Sequence, residues 1–304
     1  MTERKEYDVI VVGAGPAGLT AALYTSRSGL KTAVIAKEIG GTTSKILMLE
    51  NWPGFEGTGA ELMMKIYNQV KKYPVDFFTQ AVEYIGKEKE KFIVRTVKGE
   101  FLCKAVIITT GTERRKLQIK GESELIGKGV SYCVTCDGFF LKNKIVGVIG
   151  GSNCAANSAL ALSDTSKKVY VFYRGKELRC ERVNLERLEQ KENVEIVYDA
   201  IPIEILGKEK VEGIKLEVGN REKKYEVDGV FVEIGAVPLT NSGKDLNLKL
   251  DNDGHIIVNE DMETSVKGIY AAGDVTHQRL KQVIVAAGQG AIAAKNAYEY
   301  ISKL

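Results

Sequence analysis

The chain has 304 residues, 44% apolar and 27% charged, which is enough for about two folded domains with full cores. Its 43 Lys and Arg against 40 Asp and Glu leave a net charge of +3, too mild to argue for a nucleic-acid partner. No apolar run has the length of a bilayer span, the first residues run straight into a strand with no room for a signal peptide, and five cysteines make no secreted disulfide framework, so a cytoplasmic protein is expected.

Residues 7–12 (Tyr-Asp-Val-Ile-Val-Val) predict a short strand, followed at once by Gly13-Ala14-Gly15-Pro16-Ala17-Gly18. Residues 19–28 then predict a helix closed by Gly29, and residues 32–36 a second strand. Strand, GxGxxG, helix and strand within about thirty residues is the context in which glycines let backbone approach a pyrophosphate at a helix N-terminus. The acidic residue expected about twenty positions on, for a ribose hydroxyl, is best matched by Glu38, although Ala36 and Lys37 hold the strand end itself.

Gly40-Gly41 and Leu49-Glu50-Asn51-Trp52-Pro53-Gly54-Phe55 predict a loop bounded by Gly and Pro, with Trp52 in the core. Residues 59–73 look helical, and residues 77–110 alternate as a meander that ends in Ile107-Ile108-Thr109-Thr110-Gly111. Next comes Ser131-Tyr132-Cys133-Val134-Thr135-Cys136-Asp137-Gly138. Two thiols at that spacing can close a small ring, so Cys133 and Cys136 can pass two electrons by forming and breaking one disulfide. Asp137 can move the proton each thiol loses or regains. The alternative is half of a zinc site, but Cys103, Cys154 and Cys180 are scattered singly and the histidines are His255 and His277, so no second ligand pair has the usual spacing.

After the dithiol the opening pattern repeats. Residues 144–149 predict a strand, then come Gly150-Gly151-Ser152-Asn153-Cys154-Ala155, a helix through Ser163 and a strand over 168–173. Ser152 stands where the middle glycine lets backbone close on a pyrophosphate, which puts nucleotide binding at this second loop in question. Residues 193–232 alternate again, and residues 264–275 end in Gly273-Asp274, a carboxylate at a strand end placed to hold a sugar or ribityl hydroxyl. A long Ala-rich helix over 282–302 closes the chain. The expected class is α/β, with two Rossmann-like, three-layer nucleotide-binding domains.

Over its whole length the chain resembles the low-molecular-weight thioredoxin reductases. The resemblance is carried by residues 13–18, Glu50-Asn51-Trp52-Pro53-Gly54, Thr110-Gly111-Thr112, Cys133-Val134-Thr135-Cys136-Asp137-Gly138 and Tyr270-Ala271-Ala272-Gly273-Asp274-Val275. It implies an FAD domain of residues 1–114 and 243–304, interrupted by an NAD(P)H-binding-like domain of residues 115–242 that carries the dithiol. It also implies a homodimer whose domains swing, so that the dithiol faces flavin in one pose and a thioredoxin-like protein in the other. FAD contacts map onto Gly13, Gly15, Pro16, Ala17, Gly18, Gly41, Asn51, Thr110, Gly111, Gly273, Asp274 and Gln282.

The chain departs from the family at Thr42, where a glutamine is usual, and at Lys281, where an arginine is usual. The second loop departs further. The candidate NAD(P)H residues are Gly150, Ser152, Arg174 and Arg179, but Tyr173 and Gly175 replace a histidine and an arginine that grip the ribose phosphate. Relatives with such sites take electrons from a reduced deazaflavin or from ferredoxin. The expected function is therefore FAD-dependent reduction of the disulfide of a thioredoxin-like protein, with NADPH doubtful as donor. The alternatives are an NADPH-dependent thioredoxin reductase of ordinary type and a non-catalytic flavin-bound redox sensor, in which Asp137 would have no purpose. A peroxiredoxin-reducing relative would need an N-terminal extension with its own dithiol, whereas Tyr7 already begins the first strand.

Overall fold

A computed structural model describes residues 4–46 and 49–304, apart from the side chains of Thr135 and Cys136. The chain divides into two units, Met1–Glu113 with Val237–Leu304, and Arg114–Ala236. The second crossing thus follows Ala236, so residues 237–242 go with the first unit and not with the inserted one as expected.

In the first unit the chain runs through β1 (Lys5–Val12), α1 (Pro16–Arg27), β2 (Thr32–Ala36), a hairpin of β3 (Leu49–Trp52) and β4 (Phe55–Gly57), α2 (Gly59–Val70), β5 (Val75–Thr79), β6 (Val82–Glu88), β7 (Lys91–Thr96) and β8 (Gly99–Ile108). It leaves at β9 (Thr112–Arg114). The second unit holds β10 (Val130–Ser131), α3 (Val134–Asp137), β11 (Ile145–Ile149), α4 (Asn153–Ser163), β12 (Lys168–Phe172), α5 (Arg182–Glu189), β13 (Val194–Val197), β14 (Ala200–Leu206), β15 (Gly213–Val218), β16 (Arg221–Tyr225) and β17 (Gly229–Val232). The return passes through β18 (Ala236–Pro238) to β19 (Ile269–Ala271) and α6 (Val283–Ile301).

The first sheet has the order β5-β2-β1-β8-β7-β6. β8 serves two neighbours in turn: its first half pairs antiparallel with β7, and its last three residues pair parallel with β19. Parallel strands are covered on both faces, which is why Val9, Ile10, Val11 and Val12 form an unbroken apolar run and are all buried. α1 begins with Pro16, whose missing N–H costs nothing at a first helical position, and its Ala-rich face lies on α6. A Cβ at Gly290 of α6 would stand 2.2 Å from the Ala17 carbonyl oxygen, so glycine sets how closely the two helices approach. The second unit has a parallel sheet in the order β10-β17-β11-β12-β13 and an antiparallel sheet β14-β15-β16. This is the α/β architecture the sequence predicts. Two details differ: residues 49–57 pair as the β3–β4 hairpin in place of a plain loop, and Trp52 is half-buried there, since a two-stranded ribbon has no second layer to cover it. Among the described residues no helix is long and apolar enough to cross a membrane.

Candidate active site

Strand register superimposes the two glycine loops position by position. Val12 pairs with Ile35 on one side and Ile108 on the other, and Ile149 pairs likewise with Phe172 and Val232. The next residues therefore correspond: Gly13 with Gly150, Ala36 with Tyr173, Thr109 with Glu233. Backbone bonds repeat too. Gly13 N–H donates to Ile35 O at 2.9 Å and Gly150 N–H to Phe172 O at 3.0 Å. A Cβ at Gly13 would stand 2.3 Å from Thr109 O, and one at Gly150 would stand 2.3 Å from Glu233 O. With φ of 114° and 150°, both positions call for glycine on backbone grounds as well.

Around the first loop the structure gathers most of the predicted residues. Gly15 is the N-cap of α1, and a Cβ there would meet no protein atom within 4 Å. A Cβ at Gly18 would lie 2.0 Å from Gly13 O, so Gly18 lets helix and strand close up. Gly41 comes within contact of Gly15, a Cβ on it standing 3.8 Å from the Gly15 Cα. Gly273 packs on Ala17, and its N–H donates to Gln289 Oε1 at 2.7 Å. The neighbouring Asp274 is half-buried; burial raises its carboxyl above the ordinary range, against the pull of Lys281 and His255. Asn51 Nδ2 donates to Oε1 of Gln282, the N-cap of α6, at 2.9 Å. Thr110 Oγ1 donates to Leu239 O at 2.6 Å, while Gly111, at φ 67°, accepts from Leu239 N–H. Glu38 stands apart, exposed and two residues beyond the end of β2.

These residues fit the FAD that the resemblance implies. The glycine side of the loop is bare, the first-turn N–H groups of α1 have no partner within the helix, and a half-buried carboxylate at a second strand end is available to a hydroxyl. Three supporting residues lie outside the expected FAD contacts, Lys281 among them as the departure from the family's arginine. Thr109 Oγ1 donates to Val12 O at 2.9 Å and ties the loop to β8, Gln289 holds Gly273, and Lys281 Nζ donates to the carbonyls of Asp274 and Thr276. Thr109 precedes the Thr110-Gly111 motif directly, and that adjacency is its one trace in the sequence.

The second loop is furnished differently. Ser152 is the N-cap of α4, its hydroxyl making no cap bond. Tyr173, expected as the end of a strand, lies just past β12 and is buried at 9% exposure. Glu233, at 3% exposure, accepts from Arg114 Nη1 at 2.5 Å and from Ser158 Oγ at 2.8 Å. Burial lifts its carboxyl above the usual glutamate value even so, with Arg114 and Ser158 pulling the other way. Arg174 and Arg179 are both exposed. Arg179 N–H donates to Gly151 O at 2.6 Å, and the Asn153 side chain accepts from Glu181 N–H at 2.6 Å, so residues 179–181 are tied to the loop.

The dithiol segment follows β10. Cys133 is disulfide-bonded, and Cys103 and Cys180 carry free thiols. Cys136 lies in α3, with its side chain outside the described residues. Buried Ser131 links the motif's parts: its Oγ donates to Asp137 Oδ2 at 2.6 Å and accepts from Cys133 N–H at 3.0 Å. Tyr132 anchors the other side, its hydroxyl donating to Glu122 Oε1 at 2.6 Å; burial first, then Glu122, raise that hydroxyl's pKa strongly. Glu122 is itself buried and accepts from the N–H groups of Leu117 and Gln118 at 2.7 and 2.6 Å. Beyond Gly138, Phe139 and Phe140 are 79% and 78% exposed. By contrast Cys103 is fully buried and its thiol pushed well up, which marks an inert position.

The family model for pyridine nucleotide-disulphide oxidoreductases matches residues 7–290. A thioredoxin reductase of Listeria monocytogenes is 39% identical over 308 residues, covering 100% of this chain and 96% of the relative. The crystal structure of the Lactococcus lactis thioredoxin reductase superimposes with a TM-score of 0.96 at 34% identity, covering 98% of this chain and 100% of that one. A ferredoxin-flavin thioredoxin reductase from Clostridium acetobutylicum is 33% identical, covering 99% and 100%, with a TM-score of 0.56. The chain therefore belongs to the pyridine nucleotide-disulphide oxidoreductases, within their low-molecular-weight thioredoxin reductase branch.

Proposed function

We propose that this enzyme reduces the disulfide of a thioredoxin-like protein through FAD and the Cys133/Cys136 pair, with a donor other than NADPH. The observation that carries the disulfide chemistry is the bonded Cys133 beside an Asp137 fixed by Ser131, while Cys103 and Cys180 remain free thiols. FAD, when bound, supplies two-electron transfer between donor and disulfide. Gly15 and the first turn of α1 bind its pyrophosphate, and Asp274 and Gln282 orient it. Two electrons and two protons convert the Cys133–Cys136 disulfide to the dithiol. One thiolate then attacks the partner's disulfide to give a mixed disulfide, and the second displaces it, releasing the partner as a dithiol and restoring the Cys133–Cys136 bond. Asp137 accepts and returns the proton at the thiol. Phe139 and Phe140 offer the partner an apolar contact beside the motif.

The donor reading rests on the furnishing of the second loop and on the likeness to a reductase named for ferredoxin. Reduced ferredoxin or a reduced deazaflavin fits it. The disulfide chemistry is tested by photoreducing the holoenzyme without oxygen and adding a thioredoxin. Stoichiometric loss of the thioredoxin disulfide is expected, and Cys136→Ser keeps its flavin but loses that step. Undiminished reduction by the variant contradicts the assignment.

A further inference from the structure

We propose that Tyr173 is the specificity-determining residue of the second unit: its ring occupies the seat that the adenosine ribose of a pyridine dinucleotide takes beside an open glycine loop. The inference deepens the reading that electrons do not come from NADPH, and rests on it. In dinucleotide-binding units the residue at the end of the second strand meets the ribose while the glycine loop meets the pyrophosphate. Register gives that place to Ala36 in the first unit and to Tyr173 in the second.

The ring lies between two glycines. A Cβ on Gly151 would stand 2.4 Å from two of its carbons, and a Cβ on Gly175 would stand 2.7 Å from a third. Neither position tolerates a side chain while the ring is there, so Gly175, which stands in place of an arginine, is explained by the same contact. Backbone holds the residue from both directions: Tyr173 N–H donates to Val197 O at 3.0 Å, and Ala200 N–H donates to Tyr173 O at 3.0 Å. The bond from Arg179 N–H to Gly151 O closes residues 174–179 over the loop, and the Arg179 guanidinium lies 6.0 Å from the ring centroid. Ring and ribose cannot share that space, so a ribose enters only if the ring leaves.

The test titrates oxidised holoenzyme with NADP+ and NAD+ by calorimetry, comparing the wild type with Tyr173→Ala, Tyr173→His and Tyr173→Phe. Flavin content and thermal midpoint report folding. The wild type and Tyr173→Phe are expected to show no binding at millimolar nucleotide, and Tyr173→Ala and Tyr173→His to gain at least about tenfold in affinity. A second measurement reads the contact itself: Gly151→Ala lowers the midpoint in the wild type and less in Tyr173→Ala, because the added methyl then meets no ring. Folded opening variants that still bind neither nucleotide, or a Gly151→Ala penalty that ignores Tyr173, overturn the inference and leave the donor reading standing. Micromolar NADP+ binding by the wild type overturns both.

Discussion

The two glycine loops share their strand pairing, their backbone hydrogen bonds and the close approach of a glycine to the third strand, yet they present opposite surfaces. At the first loop the corner residues are Gly15, Ala36 and Thr109, all small, and the only hydroxyl among them turns back to the Val12 carbonyl. At the second they are Ser152, Tyr173 and Glu233: a side chain on the loop, a ring on its flank and a buried carboxylate beneath. Sheet and helix hold the loop backbone whether or not a ligand comes, so the corners change at little cost to the fold. The second unit, whose loop is so furnished, carries the dithiol after β10.

The largest effect that separates the loops is expected from Gly15→Val. Its φ of −77° suits any residue and no protein atom waits for the new side chain, so the apoprotein folds while FAD affinity falls by at least about a hundredfold, or about 2.7 kcal/mol. Flavin titration of the apoprotein measures this. Ser152→Val in the second loop leaves flavin affinity where it was, and equal losses in both loops would erase the contrast. Asp274→Asn comes next, with about tenfold weaker FAD, the scale of one charge-assisted hydrogen bond. Ser131→Ala frees Asp137 and is expected to slow thioredoxin reduction several-fold and to move its pH profile, with flavin affinity untouched; an unchanged profile would make Ser131 merely structural.

The smallest effect concerns Glu233. Its folded carboxyl titrates above the ordinary value of 4.5, so the folded state holds the proton more tightly than the unfolded chain. The stabilisation is complete below the unfolded value and is lost as pH rises through the folded one. Stability of the wild type relative to Glu233→Gln is expected to decline as pH rises above about 4.5, measured by urea unfolding. A relative stability that rises with pH in that window would show the Arg114 pair outweighing burial.

Both loops are legible in the sequence because strand, glycine spacing and helix are contiguous there, and the dithiol because its two sulfurs and its acid are neighbours. What stands over each loop is not. Thr109 and Glu233 reach their glycines through strand pairings spanning ninety-six and eighty-three residues (109 − 13 and 233 − 150), which no local pattern announces. Tyr173 shows in sequence only as a replaced histidine at a strand end, and its ring packing depends on Gly175 and Arg179 turning back. Gln289 escapes for the same reason, as a polar residue in a helix whose partner lies across a turn. Glu38 is the converse case: spacing favours it, but β2 ends at Ala36 and leaves it in solvent.

In the function proposed, electrons reach the flavin without passing over the second glycine loop. Anaerobic stopped-flow mixing of the oxidised holoenzyme with NADPH, NADH, reduced ferredoxin and a reduced deazaflavin tests it in one series. Reduced ferredoxin or the deazaflavin is expected to bleach the flavin within a turnover, and neither pyridine nucleotide is. Complete bleaching by NADPH on that timescale would contradict it.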